Sequence, residues 1–120
     1  MPKHPALSVD DRIHQRTRLA IVAVLAGQQR AEFLALREVL GLTDGNLSRH
    51  LRVLEDAGFV RLEKAFVDRR PKTWVRLTER GVQAYAAEIE TLRRIVAQAR
   101  VPRPPAGEAV TRAVTEGTPE

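Results

Sequence analysis

A chain of 120 residues has room for one domain with a modest core, and its 43% apolar content is ordinary for a globular protein. The absence of cysteine excludes disulfides, thiolate metal sites and cysteine nucleophiles, and no apolar run reaches membrane-spanning length, so no membrane partner is expected. Residues 1–80 carry 15 Lys and Arg against 10 Asp and Glu, whereas residues 81–120 carry five of each, so the net charge of +5 lies entirely in the first part. Such an excess suits a polyanionic partner, the bland reading being solubility.

Residues 1–7 read as a flexible N-terminal arm: they hold Lys3, His4 and two prolines but no apolar signal segment, so a cytoplasmic location is expected. A helix is expected from about Asp10 to Ala26, capped by Ser8 or Asp10, with Asp11 at capping-box spacing from Ser8. Ile13, Leu19, Val22 and Leu25 are its apolar positions. With Ala20, Ala23 and Ala26 they make the C-terminal half apolar over much of its surface, which suggests burial between several elements. His14 reads as a surface or packing residue. A second helix is expected over 31–40, where Phe33, Leu36 and Leu40 recur at three and four residues and Leu34 widens the face. Gly41-Leu42 then makes a tight connection.

The stretch from Thr43 to Gly58 is a short capped helix. Thr43 can accept from the free amides of the first turn, Asp44 suits the positive end of the helix dipole, and Gly58 suits a left-handed terminus. Leu47, Leu51 and Leu54 form one apolar stripe, and Asn46, Ser48, Arg49, His50 and Arg52 occupy the remaining faces. Helix, brief turn and helix make a helix-turn-helix, whose second helix can enter a major groove; a generic pair of packed helices shares the same periodicity. After Gly58 the apolar period becomes that of strands, at Val60, Leu62 and Phe66 and again at Val75 and Leu77. The turn-rich Asp68-Arg69-Arg70-Pro71 lies between, so a β-hairpin is expected over roughly 59–77. Residues 61–76 hold six basic residues against Glu63 and Asp68, with Arg69, Arg70 and Lys72 at the expected tip. Trp74 falls on the face opposite Val75 and Leu77; packing is favoured over base stacking, because aromatic residues are few. Thr78 caps a last helix reaching about Ala99. Its stripe Val82, Tyr85, Ile89, Leu92 and Val96 exceeds what a small domain needs for its own core and suggests a subunit interface. Pro102, Pro104 and Pro105 then introduce an expected disordered tail over 101–120.

The run Leu42-Thr43-Asp44-Gly45-Asn46-Leu47-Ser48-Arg49-His50-Leu51, followed by Leu54-Glu55-Asp56-Ala57-Gly58-Phe59-Val60, resembles the winged helix-turn-helix transcriptional regulators of the MarR/ArsR-like type, closest to their small single-domain branch. Ile13-His14 and Arg18-Leu19 before it fit the same pattern, as do Lys64-Ala65-Phe66, Arg70-Pro71-Lys72-Thr73 and Leu77-Thr78-Glu79-Arg80-Gly81 after it, so that the resemblance covers about residues 8–95. It implies an α+β fold, a winged helix-turn-helix with an extended C-terminal dimerisation helix, over a domain spanning 8–100. It further implies a prokaryotic, homodimeric DNA-binding regulator: the helix from Asp44 for recognition, residues 59–77 as the wing, and helices 10–26 and 78–99 for dimer contacts. Metal-sensing relatives use cysteine or clustered histidine and carboxylate ligands; His4, His14 and His50 make no tight ligand motif, and no metal or cofactor is expected. A small-molecule effector is compatible with the resemblance, although no motif identifies one.

The expected function is therefore a sequence-specific regulator of transcription that binds palindromic sites in double-stranded DNA as a homodimer. Base-reading candidates are Asn46, Ser48, Arg49 and His50, since arginine pairs bidentately with guanine and asparagine with adenine. Phosphate candidates are Thr43, Arg52, Lys64, Arg69, Arg70 and Lys72. Dimer-interface candidates are Ile13, Leu19, Val82, Tyr85, Ile89, Leu92 and Val96. The alternative is a winged protein-interaction module with its basic face on an acidic partner. An enzyme is not indicated, for no nucleophile, dyad or phosphate-loop pattern occurs.

Overall fold

The computed structural model describes residues 4–103. The first expected helix is divided at Gln15, whose φ of −56° and ψ of 135° leave helical space. Two segments result, α1 over Asp11–His14 and α2 over Arg16–Ala26. Asp10 caps the first by accepting from the Arg12 amide at 2.9 Å, and Gln15 caps the second by accepting from the Arg18 amide at 2.9 Å. The break frees carbonyls at the end of α1, and Arg18 takes them up. Its Nε donates to the Arg12 carbonyl at 2.6 Å and its Nη2 to that of Asp11 at 3.1 Å.

The expected arm over 1–7 is corrected in part. Pro5–Ser8 wind into a 3-10 turn packed against the last helix, with Pro5 buried. Residues 1–3 lie outside the described residues, as does the expected tail from residue 104 onward; residues 101–103 have no regular structure. The second helix also begins later than expected. Ala31–Glu32 are a short strand, β1, and α3 covers Phe33–Leu40. Ala31 pairs with Val75 and is buried, so this pair of residues leaves the helix to extend a sheet.

Recognition-type geometry follows. Helix α4 covers Asp44–Asp56, strands β2 and β3 cover Val60–Val67 and Arg70–Leu77, and α5 covers Glu79–Gln98. The sheet is antiparallel in the order β1-β3-β2. Gly41 and Gly58, with φ of +64° and +81°, turn the chain at the ends of α3 and α4, a conformation that costs other residues more.

The core gathers Ile13 of α1, Ile21, Val22 and Leu25 of α2, Leu36 of α3, Leu47, Leu51 and Leu54 of α4, and Val75 of β3. Each buried leucine contributes roughly 1.5–3 kcal/mol relative to exposure. Three of them on one face hold the 13-residue α4, a length marginal for an isolated helix. Ile13 is fully enclosed by its own chain, which removes it from the dimer-interface candidates.

Helix α5 turns an unexpected face inward. Gly81, Glu88 and Thr91 are its buried residues. The Glu88 carboxylate is paired with Nδ1 of His14, which ties α5 to α1 and partners a charge that would otherwise be costly to bury. The apolar stripe lies to one side of that face: Val82 and Val96 are 54% and 73% exposed, while Tyr85, Ile89 and Leu92 are half-buried. Small and polar residues thus make the closest intramolecular contact, Tyr85 and Ala84 pack partly against the core, and Val82 and Val96 of the apolar row are left outside.

Candidate nucleic-acid interface

With the leucines of α4 turned inward, helical spacing sends Gly45, Arg49 and Arg52 to the opposite side, and all three are exposed. Asn46 and Ser48, also exposed, flank that row. Thr43 caps the helix by accepting from the Asn46 amide at 3.1 Å, which leaves its hydroxyl hydrogen to donate outward. The Asn46 side chain does not act alone: its Oδ1 accepts from Arg49 Nη2 at 2.8 Å, so the two base-reading candidates form one unit. Asp44, an anion at the helix start, is held by Arg37 of α3 through a 2.7 Å bond from Nη1 to Oδ1. That bond offsets the carboxylate's repulsion of an approaching phosphate and raises the already high pKa of Arg37.

His50 is corrected. It is half-buried and turned toward α2, with Nδ1 3.2 Å from Nη1 of Arg18. As arginine can only donate, the Nδ1 facing it is the acceptor and the ring is neutral. Burial, then the charges of Arg18 and Arg49, depress its pKa. The ring therefore joins α4 to the capped break between α1 and α2, and it leaves the base-reading set.

The hairpin of β2 and β3 is paired from Val60↔Leu77 to Val67↔Arg70, so its turn is the dipeptide Asp68-Arg69. Both residues have positive φ, +52° and +67°, the signature of a type I′ turn, which matches the twist of the strands. The turn sets exposed Arg69 and Arg70 at the tip. Lys64 is exposed and Lys72 half-buried farther down the wing. Along each strand, side chains alternate between faces. Val60, Leu62, Lys64 and Phe66 share a face with Leu77, Val75, Thr73 and Pro71 across the strand pair. Lys64, Thr73 and Pro71 line a crevice whose other wall includes Asp44 at the start of α4 and Leu34 of α3. The wing and the recognition-type helix thus border one concave surface. Leu34, expected to widen the core-facing side of α3, is 49% exposed there.

Trp74 lies on the other face of the wing, paired with Glu63 and Glu32 on its two sides. The Arg30 guanidinium covers its ring at 4.0 Å from the centroid, so the indole is occupied by a cation–π contact within the protein. Beside it Arg76 donates to Glu63 at 3.3 Å. The supporting roles of Arg18, Arg30 and Arg37 are not legible in the sequence. Each arginine acts on a partner in another element, and no local spacing marks such a pairing.

Among the described residues, no cluster of three or more His, Asp or Glu side chains could hold a metal ion, and no helix is long and apolar enough to cross a membrane. The family model of a winged helix DNA-binding domain matches residues 17–96. An uncharacterized protein of Methanocaldococcus jannaschii, MJ0432, is 44% identical over 68 residues, which span 57% of this chain and 74% of that protein. A transcriptional regulator homologue from Pyrococcus horikoshii OT3 superposes with a TM-score of 0.70 at 33% identity, over 73% of this chain and 87% of that one. YodB from B. subtilis shares the fold, with a TM-score of 0.67 at 20% identity over 76% of this chain and 89% of that one. The winged helix-turn-helix domain, similar to that of MarR/ArsR-type regulators, is thus common to sequence and structure.

Proposed function

The chain belongs to the winged-helix DNA-binding domain family, and from that premise we propose that it is a sequence-specific transcriptional regulator acting as a homodimer on palindromic sites, in the cytoplasm of a prokaryotic cell. The observation that carries this reading is the exposed polar face of α4, where Arg49 and Asn46 form one hydrogen-bonded unit beside a basic wing. The name of the Pyrococcus horikoshii relative supports a regulatory role.

In this reading α4 enters the major groove with Asn46, Ser48 and Arg49 at base edges. Thr43 and Arg52 hold the flanking phosphates. Lys64, Arg69, Arg70 and Lys72 hold phosphates along the wing, setting the register without reading sequence themselves. The half-exposed stripe Val82, Tyr85, Ile89, Leu92 and Val96 on α5, with Leu19 of α2, pairs two copies. Pairing brings two recognition helices to half-sites roughly 34–36 Å apart, one turn of the duplex.

Selection of bound molecules from a pool of random duplexes tests the reading. An inverted repeat with half-sites one turn apart is expected. Recovery of no preferred sequence at any salt concentration would instead favour a protein-interaction role for the basic face. Sedimentation at DNA-binding concentrations tests the pairing, and a monomer throughout would reject it.

A further inference from the structure

Phe66 is the most exposed aromatic residue of the folded domain, 77% accessible near the tip of a wing that also exposes Val67, Asp68, Arg69 and Arg70. Its place in the row explains why it points outward. Val60 and Leu62 of the same face lie against the core, Lys64 fronts the crevice beside α4, and Phe66 is one pleat farther out. Pro71 stands opposite it on β3, beyond the reach of β1, which pairs only with Trp74 and Val75. There β3 has a free edge, a position that tolerates proline. The two residues make an apolar ridge on the side of the wing that looks toward the recognition helix, with Arg69 and Arg70 at its end.

Resting on the DNA-binding reading above, we infer that Phe66, backed by Pro71, is an apolar wedge that enters the minor groove next to the major groove occupied by α4. Three observations commit the occupant to a duplex. The ridge is apolar, so a hydrated phosphate is a poor partner for the ring itself. It is bordered by Lys64, Arg69 and Arg70 against the one anion Asp68, a net positive surround that suits the anionic walls of a groove and repels a second copy of the same tip. Phe66 shares its strand face with Lys64, Thr73 and Pro71, which line the crevice at the start of α4, so the ring stands on the side of the wing where a duplex against that helix would lie. Apolar side chains inserted at a minor groove contact sugars and base edges and favour steps that are easily deformed. Phe66 would then add a preference for A·T pairs under the wing, independent of the bases read by Arg49.

The test uses the full chain and the duplex recovered by selection. Phe66→Ala should weaken binding by on the order of tenfold, the scale of one large apolar side chain left uncovered. The slope of affinity against salt should stay unchanged, since no phosphate contact is lost. Phe66→Leu should recover most of the affinity. Replacing the A·T pairs beneath the wing by G·C puts an amino group in the minor groove. That change should harm the parent protein more than Phe66→Ala, and inosine in place of guanine should restore binding. Equal affinity of parent and Phe66→Ala, an equal penalty from G·C in both, or a change in sedimentation showing Phe66 to be a subunit contact would each overturn the wedge. A parent protein that selects no duplex would overturn the DNA-binding reading itself.

Discussion

Gly81, in the first turn of α5, lies so close to Phe59 that a Cβ on it would overlap the Phe59 carbonyl oxygen and stand 2.8 Å from Leu77 Cδ1. The same carbonyl accepts from the Thr78 amide at 3.0 Å, and the Thr78 hydroxyl donates to the Gly58 carbonyl at 2.6 Å while accepting from the Gly81 amide at 2.9 Å. One threonine and one glycine thereby dock α5 onto the start of the wing. Gly81→Ala should destabilise the fold by about 1–3 kcal/mol through overpacking, more than the gain in helix propensity of up to about 1 kcal/mol. Denaturant unfolding checks this, and a stabilised variant would mean that the junction is looser than described.

Arg49→Ala should cost roughly 1–3 kcal/mol of discrimination at one or two base pairs if the contact is bidentate. Because Asn46 accepts from Arg49, Asn46→Ala should blur the same base pair rather than a separate one. Competition titrations with single-pair variants of the selected duplex measure both. Equal losses on specific and scrambled duplexes would make Arg49 a phosphate contact.

The wing tip separates stability from binding. Arg69 has a φ of +67°, a conformation costing a non-glycine residue about 1–2 kcal/mol. Arg69→Gly should therefore stabilise the fold modestly, by about 1 kcal/mol, while it weakens DNA binding. Arg69→Ala and Arg70→Ala should each reduce the salt slope by about 0.9 if each arginine neutralises one phosphate. Thermal unfolding and salt titrations read the two effects independently.

His50 makes the fold sensitive to mild acid. Its pKa is depressed in the folded state, so the unfolded chain takes up a proton first. Its stabilising contribution is complete above the unperturbed value of 6.5 and is lost as pH falls from there through the folded value. His50→Asn should flatten the dependence of melting temperature on pH below 6.5. An unchanged profile would show that neither burial nor the charges of Arg18 and Arg49 disfavour the protonated ring in the fold.

The exposed part of the α5 stripe allows a clean test of pairing. Val82→Asp and Val96→Asp replace residues that are 54% and 73% accessible, so the single-chain fold should change by no more than about 0.5 kcal/mol. Sedimentation should shift toward monomer, and binding to the two-half-site duplex should fall more than binding to one half-site. A dimer that withstands both substitutions would place the contact elsewhere.

What could be read in advance was whatever is decided within a few residues. The Thr43 and Thr78 caps and the leucine stripe of α4 are local patterns, and each is present. The break at Gln15 was not legible, since glutamine is an ordinary helix former and the freed carbonyls are satisfied by a side chain from the next helix. The Ala31–Glu32 strand depends on Trp74 and Val75, more than 40 residues away. Periodicity marked Ile13 and the α5 stripe alike as apolar. It carries no information on whether an apolar residue meets its own chain or another. His50 was assigned outward from its polar chemistry, and only Arg18, brought close by tertiary packing, reverses its direction.

The third strand, β1, spans β3 only at Trp74 and Val75, which leaves the outer wing a two-stranded ribbon rooted in a three-stranded base. Two-stranded ribbons are weak alone. Amide exchange should accordingly be slowest near Val75 and accelerate along the ribbon toward Arg69. Compliance is thus graded along the wing, and a tip that bends on a fixed root can follow a duplex whose local width differs from one binding site to another.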